Sequence, residues 1–392
     1  MESHLVDKLL VSFEKEISLL QSLHAIDYPK LKYDVDLNKT SMVKFRKDHS
    51  RITRRPLLYK SGSMLYFPAT GFPNAPSIEL ETREILSLIV KHLTEIGSSL
   101  NDILLVTIYI KNMTEFPLLN KIYNEFFNIP NPPARVTVSA CIESNIEIEF
   151  IATTNPKLAM HVQSHSYWAP ANIGPYSQVN SVLDQVYCAG QIPLIPSSMK
   201  LVVCDDLQST LNNQVFLSLQ HVSAILDPVK SSLLQIVYGI CYVTDLNYIS
   251  LAEEYWLEMT KNAAVCFVVV DQLPRDAFVE WHVVSSTSTY TCRFNHNNEV
   301  VGSIFGSVAG FFIHLKRDLE FFDEKLAIVG HEVEWSNIVF GRVFYTSLVT
   351  AEMLQELMAK LSSVGCEAVS FVPCAYLDEK IVTVLLQFQV DK

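Results

Sequence analysis

Glycine is scarce in this chain, 12 residues of 392, and about half of them fall in or near predicted hairpin turns. Little backbone is left for loose loops, so most of the chain is expected to be regular structure. Charge is also sparse: charged residues make up 18% against 49% hydrophobic, which excludes extended disorder. A long uninterrupted apolar run is missing. The nearest candidate, Val300 to Leu315, is broken by Gly302, Ser303, Gly306, Ser307 and Gly310, so no membrane span is expected. Glu2 and Asp7 stand where a secretory signal carries basic residues, and a cytoplasmic protein is the expectation. The eight cysteines (141, 188, 204, 241, 266, 292, 366 and 374) occur singly with no CxxC pair, which points to buried reduced thiols and away from metal sites or disulfides. No GxxxxGK[ST], GxGxxG or SGGxDS loop is present, so nothing here cradles a nucleotide phosphate. Basic residues are outnumbered, and a formal charge of -12 disfavours nucleic acid as the partner.

What is present divides into more than one domain, because single cores rarely grow beyond about 250 to 300 residues. Residues 1–52 read as an amphipathic helix, with Leu5, Leu9, Phe13, Ile17 and Leu20 at helical spacing, followed by a basic connector. Lys30, Lys32, Lys39, Lys44, Arg46, Lys47, Arg51, Arg54 and Arg55 crowd this part of the chain. Both a solvated linker and a docking patch fit that pattern.

One order of elements then recurs three times, over 53–156, 165–287 and 288–392: a hairpin, a helix, a strand, a helix and two strands. In the first pass the helix stripe is Ile85, Ile89, Leu93 and Ile96, before the strand Asp102 to Ile110. In the second the stripe is Leu211, Val215, Leu219 and Val222. The third is fainter, with a predicted helix carrying Phe312, Leu315, Leu319, Phe322 and Leu326. Each helix has one apolar stripe that a sheet face can cover, so each unit is expected to be an α+β two-layer sandwich.

Two stretches carry chemistry. Ile173 to Leu194, IGPYSQVNSVLDQVYCAGQIPL, is a strand pattern between two turn clusters. Asn131 to Val138, NPPARVTV, places Arg135 at a strand start. A planar donor fork that stays charged suits a carboxylate ligand, the reading the surrounding pattern favours over a strand cap with its head in solvent. The two turns, GPYSQ and GQIP, together with PPAR, resemble the RidA (YjgF) family of small trimeric enamine and imine deaminases. That resemblance implies chorismate-mutase-like sandwiches, and three units in one chain would close an intramolecular pseudo-trimer. It also implies roles. Arg135 would hold a substrate carboxylate, with Tyr176 and Gly190 lining the pocket and Asn120 in its NxxY-like helix. Glu147 or Glu280 would orient the attacking water, although Glu147 also fits an outward-facing strand carboxylate. The first unit departs from the family pattern at its front, where Phe67 to Gly71 reads FPATG. The second has Val265 at the Arg position, and the third has Val364 near it and no Glu in its last strand. A family site is built between subunits, so the half-sites of the first two units could form one complete pocket, or both could have decayed.

Two such units with a degenerate tail also resemble the C-terminal half of the eukaryotic diphthine–ammonia ligase family. The resemblance implies a module supporting ATP-dependent amidation of diphthine to diphthamide. The implied partners are elongation factor 2, an ATP-pyrophosphatase domain in cis or in trans, and a small carboxylate or ammonia. ATP would sit on that other domain, with no cofactor here, so the chain is expected to be a fragment of the longer enzyme or to act with that domain in trans. Two alternatives stay open: a free-standing imine deaminase releasing ammonia and a 2-keto acid, and an inactive scaffold.

Overall fold

A computed structural model of the chain describes residues 57–390 apart from 290, 317, 318, 320, 378 and 379. The helix and basic connector expected over 1–52 lie outside the described residues. Three larger sheets follow one plan. In the first, the strands run Tyr59–Ser61, Met64–Thr70, Ile146–Thr153, Ile103–Ile110 and Ala134–Ser139 across the sheet. The second runs Leu158–Met160, Val179–Val182, Gln185–Cys188, Val279–Ser286, Ile236–Val243 and Val265–Val269. The third runs Thr291–His296, Val300–Phe305, Val308–Leu315, Val382–Gln389, Ile338–Tyr345 and Val369–Pro373. In each, the last two strands are parallel and joined through a helix, while the neighbouring contacts are antiparallel.

Every sheet covers two helices with one face. In the first unit, Ser77 caps the helix Ile78–Glu95 by accepting from the Leu80 amide, and Ile85, Leu86, Ile89 and Leu93 meet Phe67 and Phe150 of the sheet. Ile96, placed in that stripe by its spacing, is the C-cap residue and is exposed. The helices Leu207–Leu226 and Ile249–Thr260 cover the second sheet, and Phe322–Glu332 and Ala351–Ser363 the third.

The opposite faces of the three sheets meet one another. Tyr66, Leu105 and Tyr109 of the first, Tyr238, Ile240 and Tyr242 of the second, and Phe312, Phe340 and Phe344 of the third belong to a single buried cluster. With both faces buried, a strand shows no alternation, and that explains one departure from the sequence reading. Phe312 and Leu315 were expected to begin a helix, yet both lie in the fully buried strand Val308–Leu315, and the helix starts at Phe322. Ala309, Phe311, Ile313 and Leu315 turn to the helices while Val308 and Phe312 turn to the centre, and an apolar run of this kind is indistinguishable from a buried helix by periodicity. Gly310 in this strand admits Tyr238 of the second sheet, since a Cβ there would lie 2.4 Å from the ring.

The shared centre is not purely apolar. Arg342 and Glu149, each 1% exposed, form an ion pair between the third and first sheets. The Tyr66 and Tyr109 hydroxyls donate to the same carboxylate at 2.7 and 3.1 Å. Tyr238 donates to Gln387 at 2.7 Å, and Gln387 in turn donates to Tyr187 at 2.8 Å, so hydrogen bonds link the second and third sheets as well.

Candidate active site between the first two units

The edge strand Ala134–Ser139 of the first sheet is hydrogen-bonded by the second unit. The Ser177 amide donates to the Pro133 carbonyl at 3.1 Å, the Gly190 amide to the Arg135 carbonyl at 3.0 Å, and the Asn180 side chain to the Pro132 carbonyl at 3.2 Å. The two turns of the Ile173 to Leu194 stretch are thereby laid along Arg135. Its side chain leaves the strand on the helix side and is 4% exposed. Three rings surround the guanidinium: Phe116 at 5.5 Å and Tyr123 at 4.9 Å from its own unit, and Tyr176 at 5.2 Å from the second. Such contacts hold a cation in place without consuming its donors. Gly174 leaves room for these side chains, since a Cβ there would lie 2.4 Å from Arg135 Nη2 and 2.7 Å from Asn120 Oδ1.

Glu280 closes the other side. It is 2% exposed, and it presses against Gly190 so closely that a Cβ there would sit 1.8 Å from its Oε1. Burial pushes its carboxyl up to about 8, with Arg135 pulling the other way, so the group is mostly a neutral acid at pH 7. Burial also lowers Arg135 from its usual value, but a guanidinium remains charged throughout the working range. Between them lies a small pocket, lined by Phe116, Thr137, Tyr176 and Pro274 among others. Arg135 Nη1, Thr137 Oγ1 and Glu280 Oε2 are buried with no hydrogen-bond partner in the protein. Unsatisfied buried polar atoms are costly, and three around one cavity suit a ligand bearing both acceptors and a donor.

Arg135, Tyr176, Gly190 and Glu280 are therefore brought together. Asn120 stands behind, its Oδ1 buried and unpartnered beside Gly174. Glu147 is elsewhere: it accepts from Ser144 at 3.2 Å against Gly71 and does not line the pocket. The register explains this. Glu147 pairs with Tyr109 in the first sheet as Glu280 pairs with Tyr242 in the second, so the two hold equivalent positions in different units. At the position of Arg135, opposite Val106, the second sheet has Val265 opposite Gly239 and the third has Val369 opposite Gly341. Val364, assigned to that place from spacing, instead ends the helix Ala351–Ser363. Thr137 was missed, although its position two residues beyond Arg135 on the same strand face could have indicated it. Among the described residues, no group of three or more His, Cys, Asp or Glu could hold a metal ion, and no helix is long and apolar enough to cross a membrane.

The repeated sandwich and an arginine pocket built between adjacent units define a RidA-like protein. The sequence profile described as endoribonuclease L-PSP matches residues 45–154 and again 167–286, and the chain belongs to that family. Among curated relatives, it is 34% identical over 218 residues to a diphthine–ammonia ligase of Schizosaccharomyces pombe, a match taking in 54% of this chain and 35% of the ligase. Against the Saccharomyces cerevisiae diphthine–ammonia ligase it is 27% identical over 279 residues, 62% of this chain and 40% of that one. A RutC family protein of Pyrococcus horikoshii is 38% identical over 98 residues, 24% of this chain and 77% of the relative. The chain thus spans well under half the length of the ligases it matches.

Proposed function

We propose that the chain is the RidA-like module of a diphthine–ammonia ligase, supporting ATP-dependent amidation of diphthine to diphthamide on elongation factor 2, with ATP bound by a domain other than this one. In this reading the three sandwiches act as the three subunits of a pseudo-trimer, and the one interface that retains an arginine keeps a working pocket. The observation carrying the proposal is the Arg135 guanidinium, inserted into the second unit's turn with Nη1 unpartnered opposite Glu280. Arg135 would fix a small carboxylate through charge-assisted hydrogen bonds, and Glu280, held neutral, would donate to a carbonyl, imine or amide on the same ligand. The pairing of these two groups also supports a second reading, deamination of an imino acid by water attack on its C=N carbon, in which Glu280 orients the water once ionised. Deletion of the gene and mass spectrometry of elongation factor 2 distinguish the two. The ligase reading expects diphthine to accumulate and to be amidated again by the wild-type gene but not by Arg135→Ala; normal diphthamide in the deletion strain would overturn it.

A further inference from the structure

The polar groups where the three sheets meet are satisfied on one side only. Strand pairing sets Glu149 opposite Thr107 in the first sheet, His282 opposite Ile240 in the second and Leu385 opposite Arg342 in the third. Each pair lies two residues along from Tyr109, Tyr242 and Phe344 in turn, so the three pairs hold the same place in their units. Residues opposite each other across two strands share a face, and Ile240 belongs to the central cluster, so His282 turns to the centre as Glu149 does.

In the first unit the tyrosine and the acid meet directly. Tyr109 donates to Glu149 at 3.1 Å, and Tyr66 and Arg342 complete that carboxylate. Tyr242 and His282 hold those two positions in the second unit, and they do not bond to each other. The Tyr242 hydroxyl, both ring nitrogens of His282, and Nε and Nη1 of Arg342 are buried with no hydrogen-bond partner in the protein. Burial, with the Arg342 charge adding to it, lowers the His282 imidazole to about 3, so at pH 7 it is neutral, with one nitrogen to donate and one to accept.

These groups define what can join them. The Arg342 nitrogens only donate, while Tyr242 and His282 offer both roles, so a guest must carry lone pairs as well as protons. It must also be uncharged, because Glu149 already balances Arg342 and a further ion would stand uncompensated in the core. Ammonium lacks the lone pair and a halide lacks the proton. Water has both, and a buried water is typically held by about three otherwise unsatisfied polar groups.

We infer that the meeting point of the three sheets is a hydration site, in which a water enclosed away from bulk solvent bridges Arg342 of the third unit to Tyr242 and His282 of the second. The Arg342–Glu149 pair is then one arm of a three-way junction: charge ties the third unit to the first, and water ties it to the second. The inference is independent of the pocket at Arg135.

A high-resolution crystal structure of the full chain, with a second crystal soaked in bromide, tests it. The expected result is a water peak within hydrogen-bond distance of Arg342 and of Tyr242 or His282, with no anomalous signal there from bromide. In Tyr242→Phe, which keeps the ring and removes the hydroxyl, that peak should weaken or vanish while the Arg342–Glu149 pair stays in place. A guanidinium bonded directly to His282 with no density between them would overturn the inference in the wild-type crystal alone. Bromide bound at that place, or a water peak that Tyr242→Phe leaves unchanged, would overturn it as well.

Discussion

Replacing Arg342 by methionine removes one half of the ion pair at the meeting point of the three sheets. Arg342 and Glu149 are each 1% exposed, so the remaining carboxylate would stay in the core with only the Tyr66 and Tyr109 hydroxyls donating to it. Breaking a buried pair on one side costs about 3–5 kcal/mol, because the surviving charge is uncompensated. Arg342→Met should therefore cost that much, while the double variant Arg342→Met with Glu149→Gln should recover part of the loss. Urea unfolding followed by both tryptophan fluorescence and circular dichroism provides the assay, since the three units share one core and should unfold together. A cost below about 1 kcal/mol, or strict additivity in the cycle, would refute the reasoning, because it would mean that water reaches the pair and the sheets do not close over it.

Glu280 makes stability depend on pH. Its folded value of about 8 lies above the ordinary carboxylate range, so between those limits the folded state holds a proton that the unfolded state has released. Stability should fall as pH rises across that window, by up to about 1.4 kcal/mol per pH unit for one proton, and Glu280→Gln should flatten the dependence in a melting-temperature series from pH 5 to 8. Gly190→Ala would drive a methyl into the Glu280 carboxyl, at a cost of about 1–3 kcal/mol measurable by thermal unfolding, together with weaker ligand binding. If the three sandwiches occupy the surfaces that trimeric relatives use to associate, light scattering should return a monomer, and a stable homotrimer would contradict the pseudo-trimer.

Much of this arrangement is legible in the sequence. The IGPYSQ and GQIP turns and the PPAR strand start are short-range signals, and each lies where local turn chemistry and strand spacing place it. The strand Val308–Leu315 was not legible, because burial on both faces erases the alternation that marks a half-buried strand. Val364 was placed near the Arg135 position from the sequence, whereas the pairing of Val369 with Gly341 depends on loop length after the helix Ala351–Ser363. Glu147 and Glu280 occupy equivalent sequence positions, and their spacing alone carries no information about which unit abuts Arg135. Only the contact between the first unit's edge strand and the second unit's turns makes Glu280 the pocket residue.

The composite pocket is the central claim, and calorimetry of 2-oxobutyrate on the wild-type chain and on Arg135→Ala tests it most directly. A hydrogen bond to a charged group contributes about 1.5–3 kcal/mol, so the account predicts at least about a tenfold loss of affinity with the melting curve shifted little. Equal affinity in the two proteins, or loss of binding that simply follows loss of folding, would contradict it.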